Sequence, residues 1–177
     1  ETVEEAKEVV GAAKWRPLKG ALARRVMDAG EFPSEATRTY LEKRNRNVVC
    51  VIGIESVPAV ENLSNILAVD GIDGIFVGPN DLTISLGIPD QTDHHLYEEA
   101  LRTILSECGR HGTPVMIHHQ TVALTQRWLR EGARFVLYSS DARTLHNGYR
   151  EEFSAVKAAG GELGEAVAEA SESREVI

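Results

Sequence analysis

The chain has 177 residues, of which 42% are hydrophobic and 26% are charged, and its formal net charge is −8. This length suffices for one globular domain with a sizeable core, although a closed eightfold β/α barrel usually takes about 250 residues. The negative charge argues against nonspecific binding to nucleic acid or to an anionic membrane. No apolar run approaches the roughly 20 residues of a membrane span, and no signal peptide is visible.

The two cysteines fall inside predicted secondary structure, Cys50 in a strand and Cys108 late in a helix. This placement does not indicate a disulfide framework, so a reducing cytoplasm is the expected location. The chain opens directly with a predicted helix and without Met, from which we expect an upstream segment.

The first 44 residues are predicted to contain two helices. Thr2 and Glu5 have the spacing of a capping box, and an apolar stripe continues that helix to about Lys14. Residues 15–33 are interrupted by prolines and glycines and are expected to be less regular. A short helix is expected over residues 34–44.

From residue 48 onward, strand and helix patterns alternate. Strands are predicted over residues 48–54, 72–77, 114–118 and 134–138. Helices are predicted over residues 57–69, 95–111, 122–131 and 142–159, with Pro58 in a first turn, Gly112 and Gly132 after helix ends, and Asp141 as an N-cap. Four consecutive β/α units predict a parallel sheet with right-handed crossovers.

The predicted fold class is therefore α/β, and four units are half of an eightfold barrel. Residues 1–160 are assigned to this partial barrel and residues 161–177 to a C-terminal tail. The missing half would come from an upstream segment, another chain or a second copy, because an open half-barrel exposes strand edges and core. The tail has an apolar helical stripe that could pack on a partner subunit or fray. The stripe consists of Leu163, Ala166, Val167 and Ala170.

Two carboxylates stand at the carboxyl ends of adjacent predicted strands. Glu55 closes the first strand, and Asp81 follows the second after Gly78-Pro79-Asn80. Active sites of α/β folds lie at this edge, where two acids can share a divalent cation. The alternative is that each acid caps the helix that follows it. Gly78 would let the backbone approach a ligand, and amides near Asn80 and Asp81 could bind a substrate carboxylate.

These residues carry a family resemblance. The matching stretches include Ile54-Glu55-Ser56, the run from Val69 to Leu82 and Ser85-Leu86-Gly87. They are similar to the HpcH/HpaI class II pyruvate aldolase family, which includes 4-hydroxy-2-oxoheptanedioate aldolase and 2-dehydro-3-deoxyglucarate aldolase. The resemblance begins at Thr2 and covers nearly all of the chain except the tail.

The resemblance implies a TIM-type (β/α)8 barrel, of which this chain supplies about the C-terminal half, and a carbon–carbon lyase. It implies that Glu55 and Asp81 bind a divalent metal (Mg²⁺, Mn²⁺ or Co²⁺) that chelates pyruvate and, as a Lewis acid, stabilises its enolate. The enolate attacks an aldehyde, or the reaction runs in reverse. The stretch from Gly78 through Pro79 and Asn80 to Asp81 would hold the pyruvate. The family's usual assembly is a homo-oligomer, a hexamer built from dimers.

Three departures from the family leave the catalytic residues unknown. No segment matches the N-terminal barrel half, which carries a His–Asp pair serving the base and an Arg that contacts the oxo acid. Gly53 stands where the family usually has Gln, and residues 16–24 resemble a shortened Arg-Gly loop. The alternative function is therefore an incomplete half-barrel, a remnant or assembly subunit that binds metal or oxo acid without turnover.

Several further residues are weaker candidates. Ser139 and Ser140 end the fourth strand and could line the aldehyde side of the pocket. His118 and His119 end the third strand, where a histidine either moves protons or belongs to a loop. Trp128 is expected to pack against the barrel. A third class of enzyme, acting on phosphoenolpyruvate or an acyl-CoA thioester, would need a basic cluster, and none is visible in the sequence.

Overall fold

A computed structural model describes the backbone of residues 1–172 and the side chains of residues 1–161. The chain divides into two compact units, Glu1–Tyr138 and the residues from Ser139 onward. The first unit contains the sheet and the helices around it, and the second contains a long helix. Among the described residues, no helix is both long enough and apolar enough to cross a membrane.

The first helix, α1 (Val3–Lys14), begins and ends as predicted. Its capping box is complete, since the Thr2 hydroxyl accepts from the Glu5 N–H at 3.2 Å and the Glu5 carboxylate accepts from the Thr2 N–H at 2.9 Å. The side chains of Ala6 and Val10 are buried and fix this helix on the core.

Residues 15–33 are more regular than predicted, because they contain a second helix, α2 (Gly20–Ala29). The glycines that were expected to interrupt this segment flank the helix instead. Gly20 begins it, and Gly30 ends it in the left-handed conformation at φ 67°, as C-terminal glycines commonly do. The third helix, α3 (Glu35–Asn45), confirms the short helix predicted here, with Ser34 as its N-cap.

The predicted parallel sheet is confirmed, and its strands pair in the order β1-β2-β3-β4. These strands are β1 (Val51–Ile54), β2 (Gly74–Val77), β3 (Val115–His119) and β4 (Phe135–Tyr138). The strands β1, β2 and β4 are shorter than predicted and start later. In the register, Ile54 pairs with Val77, and Val77 pairs with Ile117.

The helices between the strands differ from prediction in two places. The single helix expected over residues 57–69 is two short helices, α4 (Val57–Glu61) and α5 (Leu63–Leu67), because Asn62 between them leaves the helical conformation, at φ −96° and ψ 7°. The segment after β2, where no helix was predicted before residue 95, contains α6 (Pro79–Ser85).

The last two helices of the first unit agree with prediction. The helix α7 (His95–His111) has the predicted bounds and is ended by Gly112 at φ 70°. The helix α8 (Val122–Arg130) ends one residue early and precedes Gly132.

The two faces of the sheet have opposite environments. Ile75, Val77 and Ile117 are fully buried under the helices, and Trp128 of α8 packs into the same core, as predicted. On the other face, Val51 is 39% exposed and Phe135 is 56% exposed. We call this second side the open face. In a closed β/α barrel, the strands direct apolar side chains of this kind into the interior, where side chains of the other strands cover them.

The second unit contains α9 (Asp141–Glu172), which begins close to the predicted start and continues past the predicted end at residue 159. The prediction of Asp141 as N-cap is wrong by one position, because Asp141 is already helical and the Ser140 hydroxyl accepts from the Arg143 N–H at 3.2 Å. The stripe predicted for the tail lies outside the residues whose side chains are described. Its members are Leu163, Ala166, Val167 and Ala170.

Candidate active site

Glu55 directly follows β1 at the carboxyl end of the sheet. It does not cap the next helix, because the N-cap of α4 is Ser56, whose hydroxyl accepts from the Ala59 N–H at 3.3 Å. The next N–H, that of Val57, donates to the Ser85 hydroxyl at 3.0 Å, which links the start of α4 to the end of α6. The local capping requirement is thus met without the Glu55 carboxylate, which leaves this side chain available for a ligand.

Asp81 lies in the first turn of α6, at the carboxyl end of β2. It is not the N-cap either, since Gly78 occupies that position and Pro79 is the first helical residue. Proline is well suited to the first turn, where its missing N–H costs no hydrogen bond. The strand-to-helix turn therefore places Asn80 and Asp81 on the surface at the same edge of the sheet as Glu55.

The Glu55 side chain lies over Gly78, which connects β2 to α6. A Cβ atom added at Gly78 would overlap Oε1 of Glu55 and would lie 2.8 Å from its Cγ and Cδ atoms. At Gly53 an added Cβ would lie 3.3 Å from Cδ of Glu55. The two positions without a side chain thus form a cradle for the Glu55 carboxylate, beside the turn that carries Asp81.

Thr83 anchors the start of α6 from beneath, and sequence reasoning missed it. Its side chain is fully buried. Its hydroxyl donates to the Asn80 carbonyl at 2.8 Å and accepts from the Asp90 N–H at 3.2 Å. A buried threonine needs partners for its hydroxyl, and here those partners fix the backbone at Asn80. The signal in the sequence was a polar residue between Leu82 and Ile84 in a helix too short to show a periodicity.

The two histidines at the end of β3 point to opposite sides of the sheet, as alternation along a strand requires. His119 is 3% exposed and packs between Tyr97 and Trp128, with ring centroids 6.2 Å and 6.4 Å away. Burial, together with the charge on His118, lowers the pKa of His119 to about 4. His119 is therefore a neutral core residue, whereas His118 lies on the open face, where it pairs with Leu137 of β4.

Ser139 and Ser140 belong to the second unit. Ser139 adopts a positive φ of 55°, and its hydroxyl accepts from the Thr144 hydroxyl at 3.4 Å. The Ser140 hydroxyl accepts from a backbone N–H of α9. Both serines therefore have a structural function at the beginning of this helix.

The chemistry of the two acids suits a hard divalent cation. Among residues 1–161, no group of three or more His, Cys, Asp or Glu side chains is arranged to hold a metal ion. Magnesium, however, is commonly held by one or two carboxylates while water and substrate supply its other ligands. The Glu55 carboxylate in its glycine cradle and the exposed Asp81 carboxylate are donors of this kind.

Comparison with known proteins agrees with this architecture. Residues 2–148 match the family model described as HpcH/HpaI aldolase/citrate lyase. The chain belongs to this family. It is 35% identical over 144 residues to a 5-keto-4-deoxy-D-glucarate aldolase of Escherichia coli, a match that covers 80% of this chain and 54% of that protein. The chain thus spans about half the length of the curated relatives it matches.

Solved structures of the family show the same fold. One is a HpcH/HpaI aldolase/citrate lyase family protein from Burkholderia cenocepacia, with a TM-score of 0.73 and 28% identity over 89% of this chain and 62% of that chain. Another is a HpcH/HpaI aldolase from Desulfitobacterium hafniense, with a TM-score of 0.69 and 27% identity over 88% of this chain and 60% of that chain. The family assignment made from the sequence is therefore confirmed, as is the TIM-barrel type of the fold.

Proposed function

We propose that this chain takes part in the aldol cleavage or condensation of a 2-oxo acid through a pyruvate enolate, with a divalent metal as cofactor. The observation that carries the proposal is the Glu55 carboxylate lying over Gly78, beside the turn that presents Asp81. Membership of an aldolase and citrate lyase family supports it. So do the relatives named 5-keto-4-deoxy-D-glucarate aldolase.

In this proposal, Glu55 and Asp81 hold Mg²⁺, Mn²⁺ or Co²⁺. When bound, the cation supplies Lewis-acid stabilisation of the negative charge that develops on the oxo acid. The first N–H groups of a helix have no partner among its own carbonyls, so the N–H groups of Asn80 and Asp81 bind the pyruvate carboxylate. Pro79 and the buried Gly78 fix this turn, and Thr83 holds it from beneath.

The remaining assignments stay predictions from the sequence. Ser139 and Ser140 are assigned to the aldehyde side, and a hexameric assembly in the cytoplasm is expected from the family resemblance. The base that removes a proton from the pyruvate methyl group, and an arginine for the oxo acid, are not assigned to any residue of this chain.

The second candidate function is binding of metal or oxo acid without turnover. It is favoured because neither a base nor an arginine for the oxo acid is assigned to any residue of this chain. Among the described side chains, no group of three or more His, Cys, Asp or Glu residues could hold a metal ion. A general base has to lie within hydrogen-bond reach of the proton that it removes.

One experiment separates the two candidates. Deuterium uptake into the methyl group of pyruvate is followed by NMR in heavy water, with and without Mn²⁺. The enzyme proposal predicts Mn²⁺-dependent exchange that is lost in Glu55→Gln and in Asp81→Asn but kept in Glu61→Gln, an exposed acid of α4 that serves as control.

Binding of Mn²⁺ is measured on the same four proteins by the electron paramagnetic resonance signal of the free ion. Binding without exchange above the blank would favour the second candidate. Unchanged Mn²⁺ affinity in both site variants would show that the metal assignment is wrong, whatever the exchange rates.

A further inference from the structure

A cavity lies at the opposite end of the sheet from Glu55 and Asp81. It has a volume of about 870 Å³, within the roughly 300–1,000 Å³ typical of small-molecule sites. It forms where the C-terminal ends of α1 and α3 meet, and Val48, which precedes β1, contributes to its wall. Glu55 follows the same strand, so the length of β1 separates this cavity from the candidate active site.

The lining of this cavity is cationic. Three basic side chains contribute to it, Arg16, Lys19 and Arg44, and no carboxylate does. This is unusual for a chain with a net charge of −8. Three positive charges around one cavity create a local potential that attracts a small anion, and arginine guanidinium groups bind phosphate and carboxylate with paired hydrogen bonds.

Several basic residues of the first unit are engaged in ion pairs. Lys7 is paired with Asp28 at 2.7 Å, and Arg38 with Glu42 at 2.9 Å. Among the side chains that the structure describes, Arg16, Lys19 and Arg44 form no salt bridge. Their charge is therefore not neutralised by a neighbouring carboxylate, which leaves it to interact with a ligand.

The walls of the cavity are held in place before any ligand binds. The buried Asn45 side chain donates to the Arg16 carbonyl at 3.0 Å, which ties the loop after α1 to the end of α3. The Arg44 guanidinium donates to the Tyr40 hydroxyl at 2.9 Å and lies over the Tyr40 ring. A preorganised site loses less conformational entropy when its ligand binds.

Apolar side chains complete the lining. Leu18 and Val48 face the same cavity as the three cations, so a ligand can place an organic body against them while its charges face the basic groups. We propose that this cavity binds a small organic dianion, either a phosphate monoester or a dicarboxylate. The proposal does not depend on the function proposed for Glu55 and Asp81.

The test is isothermal titration calorimetry of the full chain with phenyl phosphate and, separately, with succinate. We expect saturable binding of one ligand per chain. Arg16→Gln and Arg44→Gln should each weaken it at least tenfold. The matched control is Lys43→Gln, an exposed cation next to Arg44 on α3 that does not line the cavity, and it should leave the affinity within twofold.

The two probes distinguish the ligand classes. Binding of phenyl phosphate alone assigns a phosphate monoester, and binding of succinate alone assigns a dicarboxylate. Binding of both shows recognition of two negative charges on a small molecule. The proposal is overturned if neither probe binds saturably, or if Lys43→Gln weakens binding as much as the two arginine variants do. The Mn²⁺ affinity of Arg16→Gln should equal that of the unaltered chain, so failure here is separable from failure at the acidic site.

Discussion

The glycine cradle under Glu55 leads to a sharp prediction for Gly78→Ala. The added methyl group would overlap Oε1 of Glu55 and would lie 2.8 Å from its Cγ and Cδ atoms, closer than carbon atoms pack. The obstacle is the end of a flexible side chain rather than backbone, so Glu55 can rotate away. Gly78 itself has φ −82° and ψ 103°, a conformation that alanine adopts without strain. The substitution should therefore displace the carboxylate and preserve the fold.

The two effects can be given magnitudes. A displaced rotamer costs about 0.5–1.5 kcal/mol, and replacing glycine by alanine at a compatible backbone angle returns about 0.4–1 kcal/mol through the unfolded state. The free energy of unfolding should therefore change by less than about 1 kcal/mol. Loss of one carboxylate ligand should weaken Mn²⁺ binding about tenfold or more, which corresponds to ~1.4 kcal/mol.

Two further substitutions make the comparison quantitative. At Gly53 the added Cβ would lie 3.3 Å from Cδ of Glu55, so Gly53→Ala should weaken Mn²⁺ binding less than Gly78→Ala does. At Gly109, in α7, an added Cβ meets no atom within 4 Å, so Gly109→Ala should not affect Mn²⁺. Affinity is read from the electron paramagnetic resonance signal of free Mn²⁺, and stability from urea unfolding. Unchanged Mn²⁺ affinity in a folded Gly78→Ala protein would refute the assignment of Glu55 as a ligand.

Two other predictions concern stability. Gly71→Ala should destabilise the fold by about 2–4 kcal/mol, because Gly71 has φ 97° and an added Cβ would lie 2.7 Å from Cγ1 of the buried Val10. Gly132→Ala is the control, since Gly132 has φ 108° and open space around it. It should lower the free energy of unfolding, measured in urea, by only about 1–2 kcal/mol. For His119, the folded pKa of about 4 lies below the ordinary value of 6.5, so the unfolded chain binds a proton first and stability falls by about 3 kcal/mol as pH falls from 6.5 to 4. His119→Phe should remove this part of the pH dependence, and equal losses between pH 7 and pH 4 in both proteins would contradict the linkage.

Much of the fold was predictable because local signals agreed with the tertiary structure. In α7 an apolar face, a C-terminal glycine and a basic last turn all indicate the same helix, and its bounds were predicted correctly. In α6 the signals conflicted, since Gly78 and Pro79 indicate a turn as readily as they indicate a helix start. Local sequence patterns alone could not decide this, because the helix is held by the buried Thr83, whose hydroxyl accepts from the N–H of Asp90 beyond the end of the helix.

The predicted starts of β1 and β2 were too early for a related reason. Apolar residues precede both strands, Val48 to Cys50 before β1 and Ile72 before β2, but ladder pairing begins only at Val51 and Gly74. Just before these residues, Asp73 accepts from the Cys50 N–H, and the Asp73 N–H donates to the Cys50 carbonyl at 2.8 Å. Lys14 of α1 pairs with the same carboxylate. These contacts join segments distant in sequence, so no short stretch of the sequence shows where each strand begins.

The two candidate sites also differ in how far the sequence alone revealed them. Glu55 and Asp81 were visible because each follows a strand directly, so topology alone places them at one edge of the sheet. The basic cavity was not visible, because Arg16 in the loop after α1 and Arg44 in α3 are distant in sequence, and each taken singly resembles a solvated surface charge. The interpretation of His119 as a residue of the active edge could have been corrected from the sequence, since alternation allows only one of two successive histidines to face that side.

The register of the sheet bears on how the two candidate functions differ. Ile54, Val77 and Ile117 are paired across β1, β2 and β3, and the next residues along the chain are Glu55, Gly78 and His118. Glu55 follows β1, Gly78 follows β2 and begins the turn with Asp81, and His118 lies in β3, so all of them belong to the first unit. The geometry around the Glu55 carboxylate is thus set by contacts within these strands, while the open face carries exposed Phe135 at the other end of the sheet. Metal binding should therefore need only what the first unit contains, and turnover needs in addition a base, which is not assigned to any residue of this chain. A protein that binds Mn²⁺ with the Gly78 and Gly53 dependence predicted above, yet fails to exchange the pyruvate methyl protons, would contain the binding half of an aldolase without its acid–base half.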